Sequence, residues 1–156
     1  MGIYKKIACV GLLLYAADVY AEFVFQEAEC LAENIYFEAR NQPWIGKVAI
    51  ANVTLNRVDS DQYPNTICEV VKQSAKNICQ FSWYCDGKSD TPFEYHEIEE
   101  ARRIAMFVLT SSYPDVTEGA LWYHADYIKS PKWTKKLKGT VIINDHIFYS
   151  KNTNTD

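Results

Sequence analysis

One carboxylate in this chain stands among residues that belong in a core. In "NIYFEARNQPW", Glu38 lies seven residues after Leu31. At about 100° of turn per residue a helix brings it back to within roughly 20° of Leu31's direction. The apolar positions Ala28, Leu31, Ala32, Ile35 and Ala39 recur at helical spacing. Glu38 therefore falls at the edge of a buried stripe, beside Ile35, while Glu29, Glu33 and Arg40 point away. Partial desolvation favours the neutral acid and raises its pKa. An acid that keeps its proton near neutral pH can protonate the leaving oxygen of a glycosidic bond as the bond breaks. The plainer alternative is an inert half-exposed glutamate, or one paired with a base such as Lys47, because perturbed carboxylates are also structural.

Two further stretches hold groups suited to sugars, whose sites combine flat apolar faces with a few aimed polar groups. In "CQFSWYCDG", Gln80 and Ser82 are expected to hydrogen-bond a sugar amide or hydroxyls and Trp83 to offer an aromatic face. In "ALWYHAD", Trp122 and Tyr123 offer further faces and His124 a polar tip. Alternate residues of a strand face opposite sides, so Trp122 and His124 should share one face and Tyr123 the other, with Tyr123 lining the cleft. A histidine among aromatics also fits a hydrogen-bonded structural role, as does His146, while His96 lies on a supporting helix. Asn52 and Asn56, one turn apart, are expected to hydrogen-bond near Glu38. Asp86, Asp126 and Asp145 are the candidates for a second acid, and each also fits a turn.

These groups need elements to position them. Glu27 to Arg40 reads as one helix, ended by Asn41, and Pro43 suits the first turn of a second from about Trp44 to Val58. That second helix is apolar on most of its circumference and should be buried. Asn65 is the expected N-cap of a short third helix in "YPNTICEVVKQ". Residues 74–91 have no clear period and read as a long ordered loop tied down by cysteines. Thr91 and Pro92 should open an amphipathic supporting helix, with Glu99 and Glu100 set against Arg102 and Arg103. "ALWYHA" and "TVIINDHIFYS" are rich in aromatic and β-branched residues and read as strands or extended segments.

The 156 residues are 48% hydrophobic, enough for one globular domain with a sizeable core. The first 21 residues combine Lys5 and Lys6, an apolar run from about Ile7 to Ala17, and small residues at Val19 and Ala21. They read as a signal peptide cleaved after Ala21, leaving 22–156 as one mature domain. The run is shorter than the roughly 20 residues of a bilayer span, so no stable membrane insertion is expected after cleavage. Cys9 leaves with the leader. Cys30, Cys68, Cys79 and Cys85 remain, an even number in an exported chain, which suggests two disulfides. Three connectivities are open, and the short loop between Cys79 and Cys85 favours a local bridge with Cys30 to Cys68 as a long-range staple. No C-x-x-C pair suggests zinc, so no metal or cofactor is expected, and oxidised thiols are not nucleophiles. Without the leader the chain has 14 basic and 19 acidic residues, which argues against a nucleic-acid partner. The basic run "KWTKKLK" reads as solvated surface, or as a site for an anionic polymer such as a bacterial wall.

The stretch "CLAENIYFEARNQPWIGKVAIANVTLNRV" resembles the opening of the cell-wall hydrolases typified by spore-cortex-lytic enzymes. The pattern is "EAR", a proline, then "G-x-x-A-x-A-x-V-x-L-N-R-V", carried here by Glu38, Ala39, Arg40, Pro43, Gly46, Ala49, Ala51, Val53, Leu55, Asn56, Arg57 and Val58. "YPNTICEVV", "CQFSWYCDG", "ALWYHAD", Trp133 and "HIFY" follow in order, so the resemblance spans nearly all of the chain after the leader. It implies an α+β, predominantly helical, lysozyme-like catalytic domain with a small β element, related in layout to lytic transglycosylases. It makes Glu38 the catalytic residue and peptidoglycan glycan strands the substrate of a secreted, periplasmic or wall-associated monomer. Many members read "GEP" where this chain has Asn41-Gln42-Pro43, so a second acidic group is missing beside the first. Retaining and inverting glycosidases usually use two carboxylates. With no second acid in a comparable motif, the economical expectation is a lytic transglycosylase cutting between N-acetylmuramic acid and N-acetylglucosamine. The alternatives are a stem-peptide amidase or endopeptidase and a noncatalytic wall-binding protein.

Overall fold

The structure is a computed structural model that describes residues 3–76 and 78–152, with side chains from residue 18 onward. Helix α1 runs unbroken over Ile3–Ala39, well before the expected start at Glu27. No proline occurs before Pro43, and the Leu- and Ala-rich leader is itself a good helix former. The side chains of residues 1–17, most of the expected leader, lie outside the described residues. Val19, Tyr20, Phe23 and Phe25 are exposed, and burial of α1 starts at Ala28.

Helix α2, Trp44–Val58, has the predicted bounds and is the buried centre of the fold. Its residues Val48 to Ala51, and Val53, are fully enclosed. Even Lys47 is only 3% exposed. Its ammonium is satisfied by Glu97 at 2.9 Å and by Glu100, so this base pairs with a supporting helix and not with Glu38. Helix α3, Ile67–Val71, is capped by Thr66, whose hydroxyl accepts from Glu69 N–H, and not by Asn65. Helix α4, Tyr95–Thr110, begins later than Thr91 and Pro92 suggested. The reason is Tyr36, whose hydroxyl accepts the N–H groups of Phe93 and Glu94, each at 3.3 Å, and holds this segment extended across α1. Arg102 of α4 forks onto Glu29 and also meets Glu99.

The 74–91 region contains a two-strand hairpin, β1 Ser74–Ala75 with β2 Ile78–Cys79, and a 3₁₀ turn Ser82–Cys85. The disulfides are Cys30–Cys68 and Cys79–Cys85. The first ties α1 to α3, and the second closes the loop that carries Ser82 and Trp83. Strand β3, Trp122–Ala125, pairs with β5, His146–Lys151, which pairs with β4, Leu137–Ile143, all antiparallel in the order β3-β5-β4. "TVIINDHIFYS" is thus a hairpin and not one strand, turned at Asn144 with φ +48°, a conformation Asn tolerates better than most residues. A second 3₁₀ turn, Lys132–Lys136, leads into β4. The main core joins α1, α2 and α4, and a smaller cluster of Ala39, Ala49, Ile50, Val53, Ala120 and Phe148 seats the sheet on α2.

Candidate active site

Two surface grooves meet where α1 ends, and both are lined by Glu38 and Ser82. The larger, about 730 Å³, runs between Phe37, Arg40, Trp83, Lys88 and Phe93. The smaller, about 310 Å³, is bounded by Arg57, Gln80, Trp122, Tyr123 and Trp133. Three separate parts of the chain therefore converge on one carboxylate: the end of α1, the disulfide-closed loop and the edge of the sheet.

Glu38 lies in the last turn of α1, one residue before the helix ends. Burial raises its carboxyl above the ordinary glutamate range, opposed by a hydrogen bond from Tyr123 and by the charge of Arg57. The Tyr123 hydroxyl donates to Oε2 at 2.8 Å. Tyr123 is held from behind by His146, 5.4 Å between ring centroids, and by Phe148 at 5.7 Å. Burial, and then the negative charge of Glu38, push the phenol well above its usual pKa, so it remains a donor. The carboxylic acid is thus oriented, partly dehydrated and open to both grooves.

Arg57 is the second charged group of the site, 3% exposed. Its Nε donates to Leu121 O at 2.9 Å, and its guanidinium lies over Phe81 at 4.9 Å and Tyr63 at 5.4 Å. Among the described residues Nη1 has no hydrogen-bond partner. Burial lowers its pKa, against the influence of Tyr123, Tyr63 and Glu38. A cation held beside the carboxyl is suited to steady the carboxylate left after a proton is given away.

The predicted residues come together unevenly. Gln80 and Ser82 line the smaller groove, and Ser82 also borders the larger. Trp83 is a wall more than a platform: it is 8% exposed, stacks on Phe37 at 4.5 Å and donates Nε1–H to Asn34 Oδ1 at 3.1 Å. Trp122 and Tyr123 both line the smaller groove, contrary to the expectation that only one face would. β3 is an edge strand, and a groove running along an edge meets both faces. His124, expected to offer a polar tip to the substrate, lines neither of these two grooves. It is 6% exposed and stacks on Tyr149. Its Nδ1 lies 2.7 Å from Ala125 O and its Nε2 3.0 Å from the Tyr149 hydroxyl, so both nitrogens are engaged inside the sheet.

Asn52 and Asn56 do not touch Glu38 either. Asn52 Oδ1 accepts from Val116 N–H at 3.1 Å, and Asn56 Nδ2 lies within 3.2 Å of Asp115, Thr117 and Ala120 O. They fasten the segment that leads into β3. Gln42, where the resemblance leads us to expect an acid, donates to Asp145 Oδ2 at 3.1 Å on the β4–β5 turn and lines neither groove. The departure from "GEP" therefore removes no acid from the grooves. Asp86 does line the larger groove. Its carboxylate is held below the usual range by Lys88 N–H and then by the Lys88 ammonium. Asp126 and Asp145 meet at the far end of β3.

Arg57, Trp133, Arg40 and Phe93 were not singled out from sequence as site residues. For Arg57 a signal existed: like Lys47 it is a cation on a helix expected to be buried, the same anomaly that exposed Glu38 on α1. Trp133 and Phe93 reach the grooves through loops, whose paths have no periodicity to read.

The family model described as Cell Wall Hydrolase matches residues 41–149, beginning three residues after Glu38. The spore cortex-lytic enzyme of Bacillus subtilis is 29% identical over 133 residues, 85% of this chain and 40% of that protein. That of Bacillus cereus is 30% identical over 122 residues, 78% of this chain and 43% of that protein. The chain thus spans about two fifths of these relatives. The crystal structure of the catalytic domain of the Bacillus cereus SleB protein superposes with a TM-score of 0.62 at 30% identity, covering 80% of this chain and 91% of that one. The catalytic domain of the germination-specific lytic transglycosylase SleB from Bacillus anthracis gives 0.64, also at 30% identity, covering 93% of its length. The lysozyme-like, mainly helical α+β architecture is shared with these domains. Matched over most of its length in sequence and in fold, this chain belongs to the cell wall hydrolase family.

Proposed function

We propose that this protein cuts peptidoglycan glycan strands between N-acetylmuramic acid and N-acetylglucosamine as a lytic transglycosylase, with Glu38 as general acid and then general base. The observation that carries the reading is that Glu38, its carboxyl shifted toward the acid form by burial and held by Tyr123, lines both grooves at their junction. A strand lying through the two grooves presents its glycosidic oxygen to that proton. Glu38 protonates the oxygen as the bond to the muramic acid anomeric carbon breaks. The carboxylate so formed, steadied by Tyr123 and by the charge of Arg57, takes the proton of the muramic acid 6-hydroxyl, whose oxygen closes onto the anomeric carbon. The glutamic acid is regenerated and no water is consumed.

The name of the Bacillus anthracis relative supports this route. Gln80 and Ser82 supply polar groups for the sugars, and Trp122, Tyr123 and Trp133 supply apolar faces. Export through the leader 1–21 brings the enzyme to the wall. Among the described residues no three His, Cys, Asp or Glu side chains are grouped as a metal site, and all four cysteines after the leader are bridged. Stem-peptide amidases and peptidases usually rely on one of those arrangements. A second reading rests on Asp86, the other acid lining a groove with Glu38: acting as a base for water, it would give a muramidase.

Mass spectrometry of purified sacculi digested by the protein distinguishes these readings. Anhydromuropeptides are expected, abolished by Glu38→Gln and retained by Asp86→Asn. Reducing muramic ends that vanish with Asp86→Asn would establish the muramidase, and free stem peptides the amidase. Wall lysis undiminished by Glu38→Gln, in a protein that remains folded, would remove the assignment of Glu38 altogether.

A further inference from the structure

The segment from Lys129 to Lys138 holds five of the chain's 16 basic residues, and no acid occurs between Asp126 and Asp145. All five lysines, at 129, 132, 135, 136 and 138, are exposed. Among the described residues none takes part in an ion pair, whereas Arg40, Lys47 and Arg102 are each matched to glutamates. In a chain of net charge −4, this is a concentrated region of the opposite sign.

The strip is attached to the candidate active site. Trp133, inside the 3₁₀ turn Lys132–Lys136, lines the smaller groove together with Glu38. It is braced against Tyr149 at 5.6 Å and His124 at 5.9 Å. This gives His124 a role in supporting the groove wall. Residues three apart eclipse along a 3₁₀ helix, so Lys136 stacks along the same edge as Trp133, and Lys132 and Lys135 share the next one. Pro131 leads into the turn at φ −60°, the value its ring imposes, which fixes the angle at which the strip leaves the groove.

We propose that this lysine strip binds the carboxylates of the stem peptides that hang from the glycan strand held in the smaller groove. The proposal rests on the reading of the grooves as a glycan site. A sugar chain seated against Trp133 carries its peptides outward past the turn, where mobile point charges on flexible stems suit a flexible peptide better than planar guanidinium forks. A net-negative enzyme approaching an anionic wall is attracted at this concentrated basic strip, which favours an encounter with the groove leading.

Binding of the full chain carrying Glu38→Gln to insoluble sacculi, stripped of phosphate-containing polymers, tests this without cutting the wall. Adding Lys132→Gln, Lys135→Gln and Lys136→Gln is expected to weaken binding about tenfold or more at low salt and to flatten its salt dependence. The corresponding Lys→Arg triple variant should retain binding. On sacculi whose carboxyls have been amidated, the Gln triple variant and its parent should bind alike. Equal binding on native stripped sacculi would overturn the proposal, as would a loss that persists after amidation. Dependence on the lysines only when phosphate polymers are left in place would also overturn it, assigning the strip to those polymers instead. Release of soluble muropeptides by the Glu38→Gln chain would count against the catalytic reading alone, since the lysine comparison is made on binding.

Discussion

Glu38 is pushed toward its neutral form by burial. Tyr123 and Arg57 pull the other way, so the pH behaviour of the site is a balance that single substitutions should tip. On the proposed mechanism activity requires the acid form, so its loss at high pH would follow the raised Glu38 pKa. The basic limb of kcat/KM should therefore lie above the ordinary glutamate range. Tyr123→Phe removes a bond that favours the ionised form, so the limb should move to still higher pH, while kcat falls about 10- to 100-fold because the carboxyl is less well aimed. A limb that moves downward would show that the hydroxyl serves the neutral acid. Glu38→Gln should lower the rate of strand cleavage by about 10²- to 10⁴-fold.

The same shift bears on stability. A carboxyl whose pKa is raised on folding binds more protons in the native state than in the unfolded one, so stability falls as pH rises from the unfolded pKa through the folded pKa. Glu38→Gln lacks that loss. Its melting temperature relative to the parent chain should rise as pH increases across that window and level off above it, which thermal melts at a series of pH values would measure.

At the scale of elements, the site depends on how closely α2 approaches the β4–β5 hairpin. Gly46 lies at that contact: a Cβ placed there would stand 2.9 Å from Gln42 Cβ and 3.1 Å from Asn144 Oδ1. The closer clash is with Gln42 Cβ, which cannot swing aside as a side-chain tip can, and Gln42 is also bonded to Asp145. Gly46→Ala should therefore cost about 1–3 kcal/mol by overpacking, measurable by urea denaturation. Activity should fall beyond the loss of folded protein, because that hairpin carries β5, and β5 backs β3 and Tyr123. This also explains the glycine of the "G-x-x-A" pattern: it permits close approach where α2 meets the turn.

Across the whole molecule, the Cys30–Cys68 bridge spans 38 positions and ties α1 to α3, whereas Cys79–Cys85 spans six and shapes only the loop at the grooves. Loop-closure entropy assigns the longer bridge about 4 kcal/mol. For a chain of this size each kcal/mol shifts the melting temperature by about 2–4 °C. Cys30→Ser with Cys68→Ser should therefore lower it by roughly 8–16 °C in scanning calorimetry. The double Ser variant at 79 and 85 should have a smaller effect on melting and a larger one on activity, because its loop carries Ser82 and Trp83.

What the amino-acid sequence determined by itself was whatever periodicity or spacing encodes. A buried α2 with the bounds Trp44–Val58 followed from its apolar circumference. Glu38 stood out because a charge on a helical stripe is visible in one dimension, and the short interval between Cys79 and Cys85 pointed to the bridge that forms. Only the tertiary structure decided which polar groups face which. His124 turned inward because the Tyr149 hydroxyl, 25 residues away, accommodates it. Asn52 and Asn56 went to a distant loop, and Tyr36 displaced the start of α4. Each of these outcomes depends on a hydrogen-bond partner far along the chain. Side-chain periodicity records which face is buried, but it does not record what lies on the other side of the interface.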